Sequence, residues 1–135
     1  MSEVVVGIVL VAGESTRLDL GYPKQLLDVD GRPMARVSVE EAVASSLDRV
    51  VAVVGRAAED VGASLADSGA TVVLNPNYRT GNLSSLLAGV DAAGELDAVM
   101  VLLGDMPEVD ADVIDTVAAA WRTDRPWAAH TVFDD

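Results

Sequence analysis

The sequence has no cysteine, only one histidine and one lysine, and just 4% aromatic residues. The absence of cysteine excludes disulfides, thiolate metal sites and a cysteine nucleophile. Because half of the residues are hydrophobic and so few are aromatic, the core is predicted to consist mainly of valine, leucine and alanine. A chain of 135 residues fits one domain, spanning 1–135, and can bury about two-thirds of its unfolded surface.

Basic residues are also scarce: nine face 22 acidic residues, which gives a formal net charge of −13. Such a field repels polyanions, so no nucleic-acid partner is expected, although a local basic cluster can still bind a small phosphorylated ligand. The longest apolar runs, Val4–Ala12 and Ala98–Leu103, are far shorter than the ~20 residues of a membrane helix. The N-terminus lacks the basic flank of a signal peptide. We therefore expect a cytoplasmic protein with no membrane partner.

Strand and helix patterns alternate along the chain. The predicted strands are Val4–Val11, Gln25–Val29, Arg49–Val54, Thr71–Leu74, Ala98–Leu103 and Trp127–Phe133. Three of them are continuously apolar, which is typical of parallel strands that are buried on both faces. Two helices are predicted from apolar residues spaced i, i+3, i+4, i+7, at Leu83, Leu86, Leu87 and Val90 and at Ile114, Val117, Ala118 and Trp121. Weaker patterns predict helices over Pro33–Ser46 and Ala57–Asp67.

This alternation predicts an α/β fold of three αβα layers with a mostly parallel sheet. Ligands of such sheets bind beyond the carboxyl ends of the strands. Three loops follow strong strands and are expected to share that edge: Ala12–Lys24, Asn75–Asn82 and Gly104–Glu108.

The first loop lies in the segment LVAGESTRLDLGYPKQLL. Gly13 allows the backbone N–H groups to approach an anion, Ser15 and Thr16 add hydroxyl donors, and Arg17 and Lys24 add positive charge. Neither the P-loop pattern nor the dinucleotide-binding glycine pattern is present. On these features alone, a phosphate-binding loop and a plain turn are equally supported.

The other two loops contain a carboxylate and a helix start. Asp105 follows a buried strand, where it can bind a hard cation such as Mg²⁺ or cap the next helix. The metal role is favoured because Asp110 is the better-placed cap. Ser84 and Ser85 lie near a helix start that could face a ligand, but in isolation they are explained by capping. His130 has no readable partner and is interpreted as a structural residue.

Together, the segments LVAGESTRLDLGYPKQLL, NPNYRTGNLSSLLAG and LLGDMP resemble, in order and spacing, the molybdenum cofactor nucleotidyltransferase family, which has the MobA-like fold. The resemblance implies a single MobA-like NTP transferase domain with a Rossmann-like sheet of the nucleotide-diphospho-sugar transferase type. The sequence departs from the family pattern at two points. Arg17-Leu18-Asp19 stands in place of Arg-Met-Gly, and two extra residues separate Arg17 from Lys24. Family members continue beyond the equivalent of residue 135, so the C-terminal acceptor elements are expected to be missing.

The resemblance further implies a set of functional residues. Lys24, Arg17 and Asp105 would be catalytic, and Asp105 would bind the cofactor Mg²⁺. The nucleotide would be bound by Leu10, Val11, Ala12, Gly13, Glu14, Ser15, Lys24, Asn75, Gly81 and Ser85. Gly81 and Ser85 would lie beside the base or the acceptor.

The implied reaction transfers CMP from CTP to the phosphate of molybdopterin and releases pyrophosphate, and the Ala12-Gly13 pair resembles CTP-using members. The implied partners are a nucleoside triphosphate, a phosphorylated small-molecule acceptor, and a molybdoenzyme or its chaperone. Two alternatives stay open. One is the same fold acting with GTP or on a sugar phosphate or phospholactate, and the other is a non-catalytic domain that binds a nucleotide or the cofactor.

Overall fold

In the computed structural model, which describes residues 3–12 and 26–126, a parallel sheet forms the middle layer. Its strands in these ranges lie in the order β5-β4-β1-β6. The elements are β1 (Val5–Val11), β2 (Asp28–Val29), β3 (Arg32–Pro33), α1 (Met34–Ala44), β4 (Arg49–Val54), α2 (Ala58–Ser64), β5 (Thr71–Leu74), a 3₁₀ turn (Tyr78–Thr80), α3 (Asn82–Ala93), β6 (Ala98–Leu103) and α4 (Ala111–Asp124).

Both faces of the sheet are covered, which explains why β1 is apolar at nearly every position. Successive strand residues point to opposite faces, so β1 contributes to two clusters. Val9 and Val11 pack with α1, α2 and α4, whereas Ile8 and Leu10 pack on the α3 side. The predicted αβα layers and parallel sheet are confirmed.

The helix predictions are confirmed in position, but the buried face of α3 differs from the prediction. Leu83 and Leu87, which were expected to face the core, are 68% and 59% exposed. Ser85, Gly89 and Ala93 are buried instead. A Cβ atom on Gly89 would lie 2.6 Å from Ile8 Cγ2, so α3 approaches the sheet through its small residues and turns its leucines outward.

The predicted strand Gln25–Val29 is wrong in its described part. Only Asp28–Val29 is extended, and it pairs antiparallel with Arg32–Pro33 outside the main sheet. Asp30 and Gly31 connect the two with φ values of 51° and 90°. Asp-Gly is the usual two-residue hairpin turn, so a local turn decides the pairing.

The cap predicted for α4 is confirmed, since Asp110 Oδ1 accepts a hydrogen bond from Val113 N at 3.0 Å. The predicted strand Trp127–Phe133 lies outside the described residues. Within the described ranges, no helix combines the length and the apolar character needed to cross a membrane.

Candidate functional site

The carboxyl ends of the four parallel strands bring the described parts of the three predicted loops to one edge. β1 ends before Ala12, β4 before Gly55, β5 before Asn75 and β6 before Gly104. Two backbone bonds extend the ladder at this edge: Asn75 N donates to Val54 O at 2.8 Å, and Gly104 N donates to Leu10 O at 2.9 Å. The predicted common edge is therefore confirmed for these segments.

Tyr78 connects the loop after β5 to the ends of β4 and β1. A Cβ atom on Gly55 would lie 2.5 Å from Tyr78 Cβ and 3.0 Å from Ala12 Cβ. Only a residue without a side chain allows the tyrosine to pack this closely over the end of β4. Arg79 lies next to it, with its guanidinium carbon 5.6 Å from the centre of the Tyr78 ring, which is within cation–π range.

Asn75 is the centre of a buried hydrogen-bond network. Its side-chain nitrogen donates to Ser84 Oγ and Ser85 Oγ, both at 2.9 Å. Its side-chain oxygen accepts from Asn77 N at 3.0 Å. Asn75 is 3% exposed and Ser85 is 2% exposed, so both side chains lie beneath the surface of the site.

The start of α3 lies at this edge. Gly81 precedes the helix with φ +114° and ψ 177°, a conformation that side chains disfavour, and among the described residues a Cβ there would meet nothing within 4 Å. No side chain from the described ranges caps this helix. Its first N–H groups and the positive end of the helix dipole are thus directed to the surface at the strand ends.

Asp105 is exposed directly after β6 and Gly104, beside the end of β1. The described ranges contain no group of three or more acidic or histidine side chains that could hold a metal ion on its own. Mg²⁺ usually keeps several waters and takes one or two carboxylates together with substrate phosphates. An exposed carboxylate at this edge, such as that of Asp105, fits that mode of binding.

Several predicted residues lie outside the described residues: Gly13, Glu14, Ser15, Arg17 and Lys24. Leu10, Val11 and Ala12 are buried at the end of β1, so in the described chain it is their backbone that adjoins the site. The sequence patterns assign no role to Tyr78 or Gly55. Tyr78 is the aromatic residue of the NPNYRTGNLSSLLAG segment and could have been found there, whereas nothing in the sequence around Gly55 signals a contact with that segment.

Comparison with known proteins agrees with this geometry. The family model described as MobA-like NTP transferase domain matches residues 7–135. Among curated proteins, the bifunctional protein GlmU of Rhizobium leguminosarum bv. trifolii is 34% identical over 140 residues, which covers 93% of this chain and 31% of GlmU. The chain therefore spans about a third of the length of this relative.

Solved structures give the same fold. A nucleotidyl transferase from Methanothermobacter thermautotroptrophicus superposes with a TM-score of 0.80 at 27% identity, covering 87% of this chain and 58% of the other. Rv0371c from Mycobacterium tuberculosis H37Rv, in complex with manganese, has a TM-score of 0.66 at 25% identity and covers 90% and 61%. The predicted nucleotide-diphospho-sugar transferase type of fold is confirmed by the nucleotidyltransferases among these neighbours.

Proposed function

Because the chain belongs to the MobA-like NTP transferase family, we propose that it is a nucleotidyltransferase that joins a nucleotide to a phosphorylated acceptor. The observation that supports this most directly is the convergence of three motif segments on one sheet edge: Ala12, the loop from Asn75 to Gly81, and Gly104-Asp105. Such an edge is where parallel α/β sheets bind their ligands.

In this proposal, the backbone from Leu10 to Ser15 holds the triphosphate, and Arg17 and Lys24 neutralise its charge. In the sequence, Arg17 and Lys24 follow the last residue of β1 by 6 and 13 positions, and Leu10 O near the end of that strand accepts a hydrogen bond from Gly104 N. An arginine fork and a mobile ammonium are complementary ways of binding phosphate oxygens. They would supply local positive charge in a chain whose net charge is −13.

The acceptor phosphate needs no activating base. A phosphate monoester has a second pKa of about 6, so it is mostly dianionic at neutral pH. One of its oxygens attacks the α-phosphorus of the nucleotide, a new P–O–P bridge forms, and the bond to the leaving pyrophosphate breaks. Catalysis then consists of holding the reacting groups in line and stabilising charge on the phosphates, the roles assigned to Lys24 and Arg17.

Asp105 would hold a divalent cation, proposed to be Mg²⁺, on the same edge. When bound, the cation neutralises charge on the phosphate oxygens. The structure of the similar protein Rv0371c in complex with manganese supports a metal-dependent reaction. Asn75, Gly81 and Ser85 belong to the part of the edge beyond β4 and β5, which in this proposal adjoins the base or the acceptor.

The finer assignment is transfer of CMP from CTP to molybdopterin. It rests on the likeness of the three motifs and on the Ala12-Gly13 pair. The similarity to a bifunctional GlmU protein favours, as a second candidate, the same chemistry on a sugar phosphate. The remaining alternatives are GTP as donor, a phospholactate acceptor, and a non-catalytic domain that delivers a nucleotide or cofactor to a molybdoenzyme or its chaperone.

Calorimetric titration of the chain with CTP, GTP and ATP, each with and without Mg²⁺, tests this proposal. We expect metal-dependent binding with a dissociation constant below about 1 mM, the upper end of common Michaelis constants. Pyrophosphate release with molybdopterin or a sugar phosphate then separates the acceptors. Binding without release would support the delivery role, and no binding of any nucleotide at about 1 mM would exclude the proposal.

A further inference from the structure

We propose that Asn75 is a positioning residue, which acts on a bound nucleotide by fixing the backbone from Asn77 to Gly81 and the first turn of α3. This inference rests on the proposed function and narrows the role of one part of that site. It differs from the expectation that Asn75 contacts the nucleotide itself.

The first argument is that the hydrogen-bonding groups of the Asn75 side chain are already used. Its amide nitrogen has two hydrogens, and these are directed to Ser84 Oγ and Ser85 Oγ. Its oxygen accepts from Asn77 N. With 3% of its surface exposed, the side chain has no donor left and almost no surface with which to contact a ligand.

The second argument is that Asn75 connects the sheet to the loop. Its backbone N–H donates to Val54 O, which extends the β4–β5 ladder by one residue. Ser84 Oγ, which receives the Asn75 donor, lies 2.9 Å from Gly81 O and 3.1 Å from Asn77 O. The side chain thereby ties both ends of the 77–81 segment to a strand that is fixed in the sheet.

The third argument is that the 77–81 segment depends on hydrogen bonds from outside itself to keep its conformation. Gly81 adopts φ +114°, which gives the loop little local preference for the observed path. Within the described ranges, no side chain caps the start of α3. Loss of the Asn75 bonds would therefore broaden the positions of the surface groups around Gly81, while the strand ends at β1 and β6 stay in place.

The test compares Asn75→Ala with Ser64→Ala, since Ser64 Oγ donates to Val61 O at 2.6 Å within α2, which packs on the other face of the sheet from α3. We expect Asn75→Ala to weaken binding of Mg²⁺–nucleotide at least about fivefold, the effect of one unmade buried hydrogen bond, and Ser64→Ala to stay within about twofold. Binding of Mg²⁺–pyrophosphate should change less than about twofold in both variants, whereas a general destabilisation of the fold would weaken the binding of nucleotide and of pyrophosphate alike. Hydrogen exchange of amides 77–84 should accelerate in Asn75→Ala.

A double-mutant cycle with Ser84→Ala separates positioning from direct contact. If Asn75 acts through the serines, the double variant with Asn75→Ala and Ser84→Ala should bind nucleotide within about twofold of the Asn75→Ala single variant. The reason is that both substitutions break the same hydrogen bond between Asn75 and Ser84. If the double variant instead loses affinity by the product of the two single losses, the proposal is overturned and Asn75 contacts the nucleotide itself. If Asn75→Ala does not fold, the test uses Ser84→Ala alone, which should weaken the binding of nucleotide more than the binding of pyrophosphate. Equal losses of affinity for the two ligands would reject the positioning role.

The two proposals fail in different ways. A parent chain that binds no nucleotide overturns the nucleotidyltransferase proposal and this inference with it. A parent chain that binds nucleotide, together with an Asn75→Ala variant that binds equally well, overturns the positioning role alone.

Discussion

Tyr78 packs over Gly55 so closely that a Cβ atom on the glycine would lie 2.5 Å from Tyr78 Cβ. This contact holds the loop after β5 against the end of β4, next to Ala12 at the end of β1. The path of one candidate site loop therefore depends on a glycine in a different connection, 23 residues earlier in the chain.

Gly55→Ala is expected to displace Tyr78 and to destabilise the fold by about 1–3 kcal/mol, the usual effect of overpacking. Nucleotide binding should weaken as well, because the tyrosine would move the loop that contains Gly81. Chemical denaturation and calorimetric titration measure the two effects. Gly62→Ala is the matched control, because Gly62 lies within α2 and, of the residues that the structure describes, its new Cβ would meet only Val72 Cγ1 at 4.0 Å. It should stabilise the helix by roughly 0.5–1 kcal/mol. Equal stability of the Gly55 and Gly62 variants would contradict the steric role of Gly55.

Asp105→Asn should remove most of the dependence of nucleotide binding on Mg²⁺, because an amide is a poor substitute for a carboxylate in binding a hard cation. The measurement is nucleotide affinity at increasing Mg²⁺ concentration. Glu108→Gln removes an exposed carboxylate three residues away and should behave like the parent. If the two variants show the same metal dependence, Asp105 does not hold the cation.

Lys24→Ala should weaken triphosphate binding by about 10- to 100-fold, since a hydrogen bond to a charged group contributes roughly 1.5–3 kcal/mol. Lys24→Arg keeps the charge but changes its geometry, and we expect it to recover only part of the affinity. Titration with nucleoside triphosphate and with the free nucleoside shows where the loss occurs. A loss of similar size for both ligands would place Lys24 away from the phosphates.

Asp115 gives a prediction about pH and stability at a position remote from the site. Its carboxylate accepts a hydrogen bond from Ser46 N at 2.6 Å, and this bond, together with a hydrogen bond from the Ser46 side chain, lowers its pKa below the usual 3.8. A lowered pKa in the folded state means that the stabilisation is present above the unfolded pKa and is lost as the pH falls through the folded value.

Asp115→Asn should therefore reduce stability at pH 7, and the difference from the parent should shrink as the pH falls below about 4. Denaturant titrations at several pH values measure this. Asp91→Asn, which removes another exposed carboxylate, controls for the change in net charge. A difference between parent and Asp115→Asn that stays constant with pH would contradict the assignment.

Much of the fold follows from local patterns. The continuous apolar runs at Val5–Val11 and Val50–Val54 predict strands covered on both faces, and their alternation with helices predicts the parallel sheet. Parallel connection then places Ala12, Asn75 and Asp105 on one edge without further information. Asp110 was also readable as a cap, because capping is a local interaction.

Contacts between distant segments were not readable in the same way. The leucines of α3 follow a helical period, yet Gly89 sits against Ile8 and turns Leu83 and Leu87 outward. Periodicity identifies an apolar stripe, but the distance between helix and sheet decides which side of the helix is buried. The short Asp28–Val29 strand likewise pairs through its own Asp-Gly turn instead of joining the sheet.

The sequence by itself determined the order of the elements, the common edge of the three motifs and the family, because these depend on residue types at fixed spacings along the chain. Only the tertiary structure decided that Asn75 and Ser85 are buried beneath the site and that Tyr78 rests on Gly55. The physical reason is that burial and hydrogen-bond partners are set by atoms from several segments at once. A sequence motif gives the type of a residue such as Asn75. The surrounding atoms in the folded chain decide whether that residue can contact a ligand or acts through the backbone that it holds in place.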